Sequence, residues 1–303
     1  MKWKKLGVIF EGDSKYEWMK TYAWVPSIQH LEKDRFRVYF GGRNDQNFSQ
    51  TGYIEIDIES PSNILTVSSK PVIELGELGM FDDSLALATS FVKHDGKCYL
   101  YYVGWMQGRR TRYYPLLGVA LSEDNGQTYK KNSRAPMIAR TDEEPYGMAS
   151  PFVMVDEGKW KLWYASYRKW EIRDNEEPWP QYELRYAESD DGINWDLKNH
   201  TCIGTEQEEA VARPYVLKED GIYKMWYSYR KKYDKYKIGY AESGNGKDWK
   251  RMDNKVGIDC SEEGWDSEMI EYPCVFKHKG ITYMLYNGNS HGMSGIGMAI
   301  LDS

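Results

Sequence analysis

Arg213-Pro214-Tyr215-Val216, a turn at Asp220-Gly221, and Tyr223-Lys224-Met225-Trp226-Tyr227 make a unit that the chain writes five times. The other copies open at Val25-Pro26-Ser27-Ile28, Thr89-Ser90-Phe91-Val92, Ser150-Pro151-Phe152-Val153 and Tyr272-Pro273-Cys274-Val275. Each continues into a second, aromatic-rich run: Arg35 to Phe40, Lys97 to Tyr102, Trp160 to Tyr164 and Thr282 to Tyr286. β-branched and aromatic residues in short runs read as strands. The turns between the runs are Lys33-Asp34, Asp95-Gly96, Glu157-Gly158, Asp220-Gly221 and Lys279-Gly280. They carry the residues that two-residue hairpins require. The anchors fall at positions 26, 90, 151, 214 and 273, a period of about 60 residues.

A third run follows in each unit. Three copies share a pattern: Gly118-Val119-Ala120-Leu121-Ser122-Glu123-Asp124-Asn125-Gly126, Arg185-Tyr186-Ala187-Glu188-Ser189-Asp190-Asp191-Gly192, and Gly239-Tyr240-Ala241-Glu242-Ser243-Gly244-Asn245-Gly246. The first fits the Asp-box turn of propeller proteins, which is structural and says nothing of catalysis. A short fourth run leads out, as at Ala135 to Ile138 and Lys255 to Ile258. Four strands repeated radially five times predict an all-β, five-bladed β-propeller. The last unit stops at its third strand, Gly295 to Ile300, while Trp3-Lys4-Lys5-Leu6 resembles Trp249-Lys250-Arg251-Met252. Residues 3–10 are therefore expected to complete the last blade, closing the ring of a single domain over 1–303 and removing an exposed edge.

Composition narrows the function. Asp+Glu is 46 against 40 Lys+Arg, a net charge of −6, which lacks the basic footprint of a sequence-independent nucleic-acid binder. No apolar run reaches the roughly 20 residues of a spanning helix. The short apolar stretch Leu6 to Phe10 ends at Glu11, too soon for a secretory signal. These features predict a cytoplasmic protein without membrane or nucleic-acid partners. Cys98, Cys202, Cys260 and Cys274 have no C-x-x-C spacing, and five scattered His give no zinc pattern. No metal or cofactor is expected.

The repeat architecture resembles, over essentially the whole chain, the propeller glycosidases: glycoside hydrolase families 43 and 32 and the family 130 mannoside phosphorylases. The stretch Trp265 to Pro273, followed by Tyr286-Asn287-Gly288-Asn289, is similar to unclassified glycosidase-like propellers of bacterial surface-polysaccharide gene clusters. The resemblance implies an oligosaccharide or sugar-phosphate substrate in a central funnel, lined by the segments that lead into each anchor. Those leaders are rich in acids: Phe81-Asp82-Asp83-Ser84, Asp142-Glu143-Glu144, Glu206-Gln207-Glu208-Glu209 and Asp266-Ser267-Glu268-Met269-Ile270-Glu271. Cleaving a glycoside takes one protonated and one ionised carboxylate. Glu271, two residues before Pro273 as is the acid of family 43, is the expected acid, although there it belongs to a different blade. Asp83 and Glu209 are expected as base or pKa modulator, with Glu268 and Asp266 nearby.

Arg43, Arg168 and Arg230 follow the second strand at matching places, and Arg213 directly precedes an anchor Pro. Guanidinium forks suit carboxylate or phosphate. Arg43 and Arg213 read as ligand-binding, and the others as ligand-binding or as partners of the leader acids. Trp105 is a sugar-stacking candidate beside Trp170, Trp179 and Tyr182, and the insertion Trp170 to Pro180 is expected to rim the funnel. Asn287, Asn289 and His291 complete the polar set. Families 43 and 32 place Asp before the Pro of the first inner strand, where this chain has Val25. No other anchor Pro follows an Asp either. Two functions stay open: glycosidic cleavage by hydrolysis or phosphorolysis, and non-catalytic carbohydrate binding in surface-polysaccharide metabolism.

Overall fold

The hairpin turns set the pairing. Asp95, Glu157, Asp220 and Lys279 have φ of 46–54°, and each is followed by a glycine at 75–80°. Two consecutive positive φ values match the right-handed twist of the flanking strands. The computed structural model describes residues 1–172, 178–205, 209–231 and 234–302, whose regular structure is almost entirely strand. In chain order they are β1 (Trp3–Phe10), β2 (Thr21–Glu32), β3 (Arg35–Arg43), β4 (Ser49–Asp57), β5 (Ile64–Val67), β6 (Leu85–His94), β7 (Lys97–Gln107), β8 (Tyr113–Ser122), β9 (Lys130–Lys131) and β10 (Met148–Asp156). There follow β11 (Lys159–Glu171), β12 (Trp179–Ser189), β13 (Asp196–Ile203), β14 (Ala210–Glu219), β15 (Ile222–Arg230), β16 (Lys237–Ser243), β17 (Lys250–Arg251), β18 (Glu271–His278), β19 (Ile281–Asn287) and β20 (Ile296–Leu301).

Three four-stranded antiparallel sheets have the orders β10-β11-β12-β13, β14-β15-β16-β17 and β1-β20-β19-β18. The remaining strands form two antiparallel sets, β2 to β5 and β6 to β9, joined by a two-residue parallel pairing of Ser49-Gln50 with Leu85-Ala86. The inner strands β2, β6, β10, β14 and β18 pack against one another in that cyclic order, β18 returning to β2. Two outer strands sit earlier than Ala135 to Ile138 and Lys255 to Ile258: β9 and β17 lie directly after the Asp-box turns. Ile138 makes only an isolated bridge to Leu117. The Asp-box itself is built of hydrogen bonds. The Asp124 carboxylate accepts Thr128 N at 2.9 Å and Gln127 N at 3.0 Å, and Ser122 Oγ accepts Gly126 N at 2.8 Å.

β1 pairs antiparallel with β20, from Trp3 opposite Leu301 to Phe10 opposite Ile296. Trp3 is buried, its indole N–H donates to Val256 O at 2.9 Å, and its ring meets Trp226 edge-on at 6.3 Å.

One backbone irregularity recurs at the head of the inner strands. The residue before each anchor Pro has positive φ: Val25 56°, Ser150 51°, Arg213 53° and Tyr272 56°. The ladder slips at the same places, between Trp24 and Ser27, Ala149 and Phe152, Ala212 and Tyr215, and Glu271 and Cys274. These are β-bulges, and a proline, which has no N–H to give a ladder, is tolerated there. Left-handed backbone at a non-glycine residue costs of order 1–3 kcal/mol and persists where packing over-determines it.

Candidate functional site

Groups at the heads of the inner strands bond between sheets. Arg213 Nη2 donates to Pro26 O at 2.7 Å, reaching from the fourth inner strand to the first. Thr89 Oγ1 donates to Pro151 O at 2.6 Å, and Tyr272 N to Ser228 Oγ at 2.8 Å. Arg213 is completely buried, and its Nε and Nη1 have no hydrogen-bond partner. Burial pulls its pKa below the ordinary arginine value. It therefore ties the inner strands together and is closed to a ligand in this conformation.

Most leader acids face their own sheet. Asp82 accepts the Tyr102 hydroxyl at 3.0 Å and pairs with Lys131 at 2.6 Å. Glu144 accepts Tyr164 at 3.0 Å and Arg185 at 3.3 Å. Asp266 accepts Tyr286 at 2.9 Å and Lys5 at 2.7 Å. In the β14 to β17 sheet, Tyr227 bonds Asp253, and Arg251 grips Glu209 with both forks at 2.7 and 3.0 Å. Burial, reinforced by the neighbouring carboxylate, pushes the Tyr102, Tyr164, Tyr227 and Tyr286 phenols well up. The acid and its tyrosine stand 20 residues apart in three copies, a spacing legible in the sequence. Lys5, Lys131 and Arg251 occupy matching places on β1, β9 and β17.

The expected acids thus part company. Glu209 is buried against Arg251. Asp83 is half-buried and caps its own loop, accepting Gly79 N at 2.9 Å and Ser84 Oγ at 2.7 Å. Glu268 is exposed, 3.8 Å from Lys235. Only Glu271 lies at an inner-strand head among the axial aromatics. It is fully buried; Oε1 is 2.9 Å from His291 Nδ1, and Oε2 has no partner. His291 stands over it, about half-exposed, on a turn in which Ser290 and His291 are both left-handed, at 56° and 58°. Two adjacent strained residues of this kind are a hallmark of functional sites.

Aromatic rings from all five strand sets surround this pair. Trp24 packs on Trp105 at 6.5 Å and on Tyr272 at 6.2 Å. Trp105 stacks on Tyr113 at 4.2 Å, Tyr113 meets Tyr167 and Trp170, and Tyr167 lies on Tyr182. Tyr182 and Tyr236 share a hydroxyl contact, and Tyr236 meets both Tyr272 and His291. Burial, then the Glu271 charge, holds the Tyr272 phenol well above the ordinary value. Arg43 lies over Tyr22 and Trp24 at 4.3 and 4.5 Å, and Arg230 over Trp179 and Tyr236 at 4.6 and 4.9 Å.

Of the polar candidates, Arg43, Arg230 and His291 reach this cluster with Trp105. Arg168 is engaged locally with Glu143 O at 3.0 Å and Glu183 at 3.5 Å. Asn287 is a buried clamp: Oδ1 accepts Val25 N at 2.8 Å, and Nδ2 donates to Ala23 O and Gly295 O, each at 2.7 Å. Asn289 holds the leader loop through Glu268 N at 2.8 Å and Gly264 O at 3.0 Å. Residues 173–177 of the rim insertion and 206–208 of one leader lie outside the described residues. Tyr22, Tyr113, Tyr236 and Tyr272 were not singled out from the sequence. The signal was the positions beside anchors and at strand heads, masked by the many tyrosines that fill space elsewhere. Among the described residues no three His, Cys, Asp or Glu converge on a metal site, and no helix is long and apolar enough to cross a membrane.

No family model matches the chain. It is 36% identical over 305 residues to the "Uncharacterized protein Rv1502" of Mycobacterium tuberculosis (strain ATCC 25618 / H37Rv), with both proteins covered in full. The chain belongs to the Rv1502 family. The "Uncharacterized protein MT1551" of strain CDC 1551 / Oshkosh matches equally, again at 36% and full coverage. Among solved structures, a "Glycoside hydrolase" superposes with a TM-score of 0.76 at 15% identity, covering 98% of this chain and 90% of that one. A thermostable family-43 glycoside hydrolase gives 0.67 at 17%, covering 92% and 88%. The Bombyx mori GH32 beta-fructofuranosidase BmSUC1 gives 0.62 at 15%, covering 96% and 63%. The Rv1502 family therefore has the fold of the propeller glycosidases.

Proposed function

We propose that this protein is a glycan-active enzyme that cleaves a glycosidic bond at the axial mouth, with Glu271 as the proton donor. The same reading takes the chain as one domain of five blades, the last completed by β1; the β1–β20 pairing and the matching places of Lys5, Lys131 and Arg251 support it. The observation that carries the chemistry is Glu271 itself: a buried carboxyl, one oxygen on His291 and the other without a partner, inside an aromatic cage. A carboxyl so placed, with one oxygen free for a substrate, suits the role of general acid. Glu271 gives its proton to the glycosidic oxygen as the C1–O bond breaks and its electron pair moves to that oxygen. An incoming oxygen, from water or phosphate, bonds to C1. Proton exchange through His291 Nδ1 restores the acid.

Hydrolysis needs a second carboxylate. Asp83, Glu209 and Asp266 are engaged elsewhere, and Glu268 lies at the surface. Phosphorolysis needs no such base, because phosphate is itself the nucleophile, and a sugar phosphate is the product. Turnover of a panel of aryl glycosides and oligosaccharides, with and without phosphate, tests both forms. Glu271→Gln should lower turnover by about 10²-fold or more, the range of a general acid, while circular dichroism stays unchanged. Unchanged turnover in that variant sinks the assignment.

A second reading has its own observation. His291 and the neighbouring rings close Glu271 from solvent. A carbohydrate-binding propeller without catalysis would show saturable glycan binding and no product after prolonged incubation.

A further inference from the structure

We infer that Arg43 and Arg230 form an oxyanion site at the axial mouth, so that the ligand taken there presents a carboxylate or phosphate group. The inference rests on the axial mouth being the saccharide site, and it adds the chemical class of what enters.

Other wholly or partly buried arginines pair with carboxylates. Arg37 pairs with Glu55 at 2.7 Å, Arg185 with Glu183 at 3.0 Å and Glu144 at 3.3 Å, and Arg251 with Glu209 and Asp253, each at 2.7 Å. Arg43 and Arg230 depart from that pattern. Among the described residues no carboxylate pairs with either, and each is held by aromatic faces. Arg43 otherwise donates to the Asn47 side chain at 2.8 Å. The Nε of each is buried without a partner.

Ring contacts tie the two to one cluster: Arg43 lies over Trp24, Trp24 packs on Tyr272 at 6.2 Å, Tyr272 meets Tyr236 at 6.5 Å, and Arg230 lies over Tyr236. Tyr272 is the residue at the bulge beside Glu271. Stacking fixes the planes of the two forks, which leaves their edges to meet oxygen atoms. Charge-assisted bonds from such forks are among the strong ones. Arg213 takes no part, because it is sealed within the axis.

An oxyanion at this position has two sources: inorganic phosphate as co-substrate, or an acidic group on the sugar. The experiment separates them. The intact protein is titrated calorimetrically with inorganic phosphate, D-glucuronate and D-glucose, in the wild type and in Arg43→Met, Arg230→Met and Arg134→Met. Arg134 is exposed and paired with Glu77, so it serves as the control. The expected result is saturable binding of phosphate or glucuronate. It weakens by about tenfold or more in each mouth variant, as the loss of one or more charge-assisted bonds implies, and stays unchanged in Arg134→Met. Saturation by phosphate alone assigns the co-substrate; saturation by glucuronate assigns an acidic sugar. If either Met variant is unstable, Arg→Lys at the same position keeps the charge, loses the fork and should still weaken binding. No saturable binding of either anion, or binding indifferent to both mouth variants, overturns the proposal. Anion binding that persists in a protein without turnover leaves this site standing and removes the cleavage reading. Turnover of neutral glycosides without phosphate, indifferent to Arg43→Met and Arg230→Met, does the reverse.

Discussion

Two buried glutamates that look alike in the sequence should respond to the same substitution in opposite ways. Glu209 and Glu271 lie five and two residues before an anchor proline, and neither side chain is exposed. In Glu209→Gln, the Arg251 fork loses a charged partner that it holds at 2.7 and 3.0 Å. Breaking a buried pair costs about 3–5 kcal/mol when the other ion is stranded. Arg251 keeps Asp253 at 2.7 Å, and the glutamine oxygen still accepts one N–H, so about 2–3 kcal/mol is expected. Glu271→Gln keeps a partner for His291 and, because the proposed acid is protonated in the resting protein, removes no charge. Exchanging one neutral hydrogen-bonding group for another should cost about 1 kcal/mol or less. Equilibrium urea unfolding at pH 7, followed by tryptophan fluorescence, reads both values. Turnover or glycan binding, measured on the folded protein, should be spared in Glu209→Gln and lost in Glu271→Gln. A silent Glu209→Gln together with a Glu271→Gln that loses more than about 3 kcal/mol would reverse the two roles and refute the reasoning.

Trp3→Ala should cost about 3–5 kcal/mol, the range for removing a buried tryptophan. A loss below about 1 kcal/mol in the same urea assay would show that β1 is not docked as described. Acid should weaken the fold over a defined window. Burial alone would raise Asp124, Asp156 and Asp191, but hydrogen bonds outweigh it and bring each carboxyl down to about 2. A depressed folded pKa contributes stability above the unfolded value, near 3.9, and loses it as pH falls toward 2. Urea midpoints should therefore drop between about pH 4 and pH 2, and less steeply in Asp191→Asn. A flat profile across that window would contradict the Asp-box bonding.

The strands were legible because aromatic and β-branched runs, glycine turns and anchor prolines all mark the same places. Asp220-Gly221 predicts a hairpin on local grounds alone, and its two positive φ values follow from those residues. The site was harder to read because its chemistry depends on where a side chain turns. A carboxylate in a leader loop has two ways to face: toward the axis, or back onto its own sheet. Asp82, Glu144 and Asp266 turn back because a tyrosine and, in each sheet, a cation await them. The tyrosine stands at a fixed spacing, so the signal existed, but it lay in the second strand and not in the loop that holds the acid. Arg213 looked like a ligand group because it precedes a proline at the axis. The bulge there is common to several inner strands, and in this one it is filled by a bond to Pro26 O. Asn287 was selected for its polarity, and its amide is consumed by backbone groups that would otherwise go unpaired.

Val25 carries a consequence of a different kind. A β-branched side chain is among the least suited to left-handed backbone, whereas aspartate tolerates it well. The resemblance to families 43 and 32 implies an aspartate at the matching position, and the left-handed backbone here suits one. Val25→Asp would ease the torsion that Val25 bears, next to Pro26, whose carbonyl already receives Arg213. For a designer, or for drift acting on this lineage, the distance to a second axial carboxylate is one codon's worth of chemistry, since the backbone needs no rebuilding.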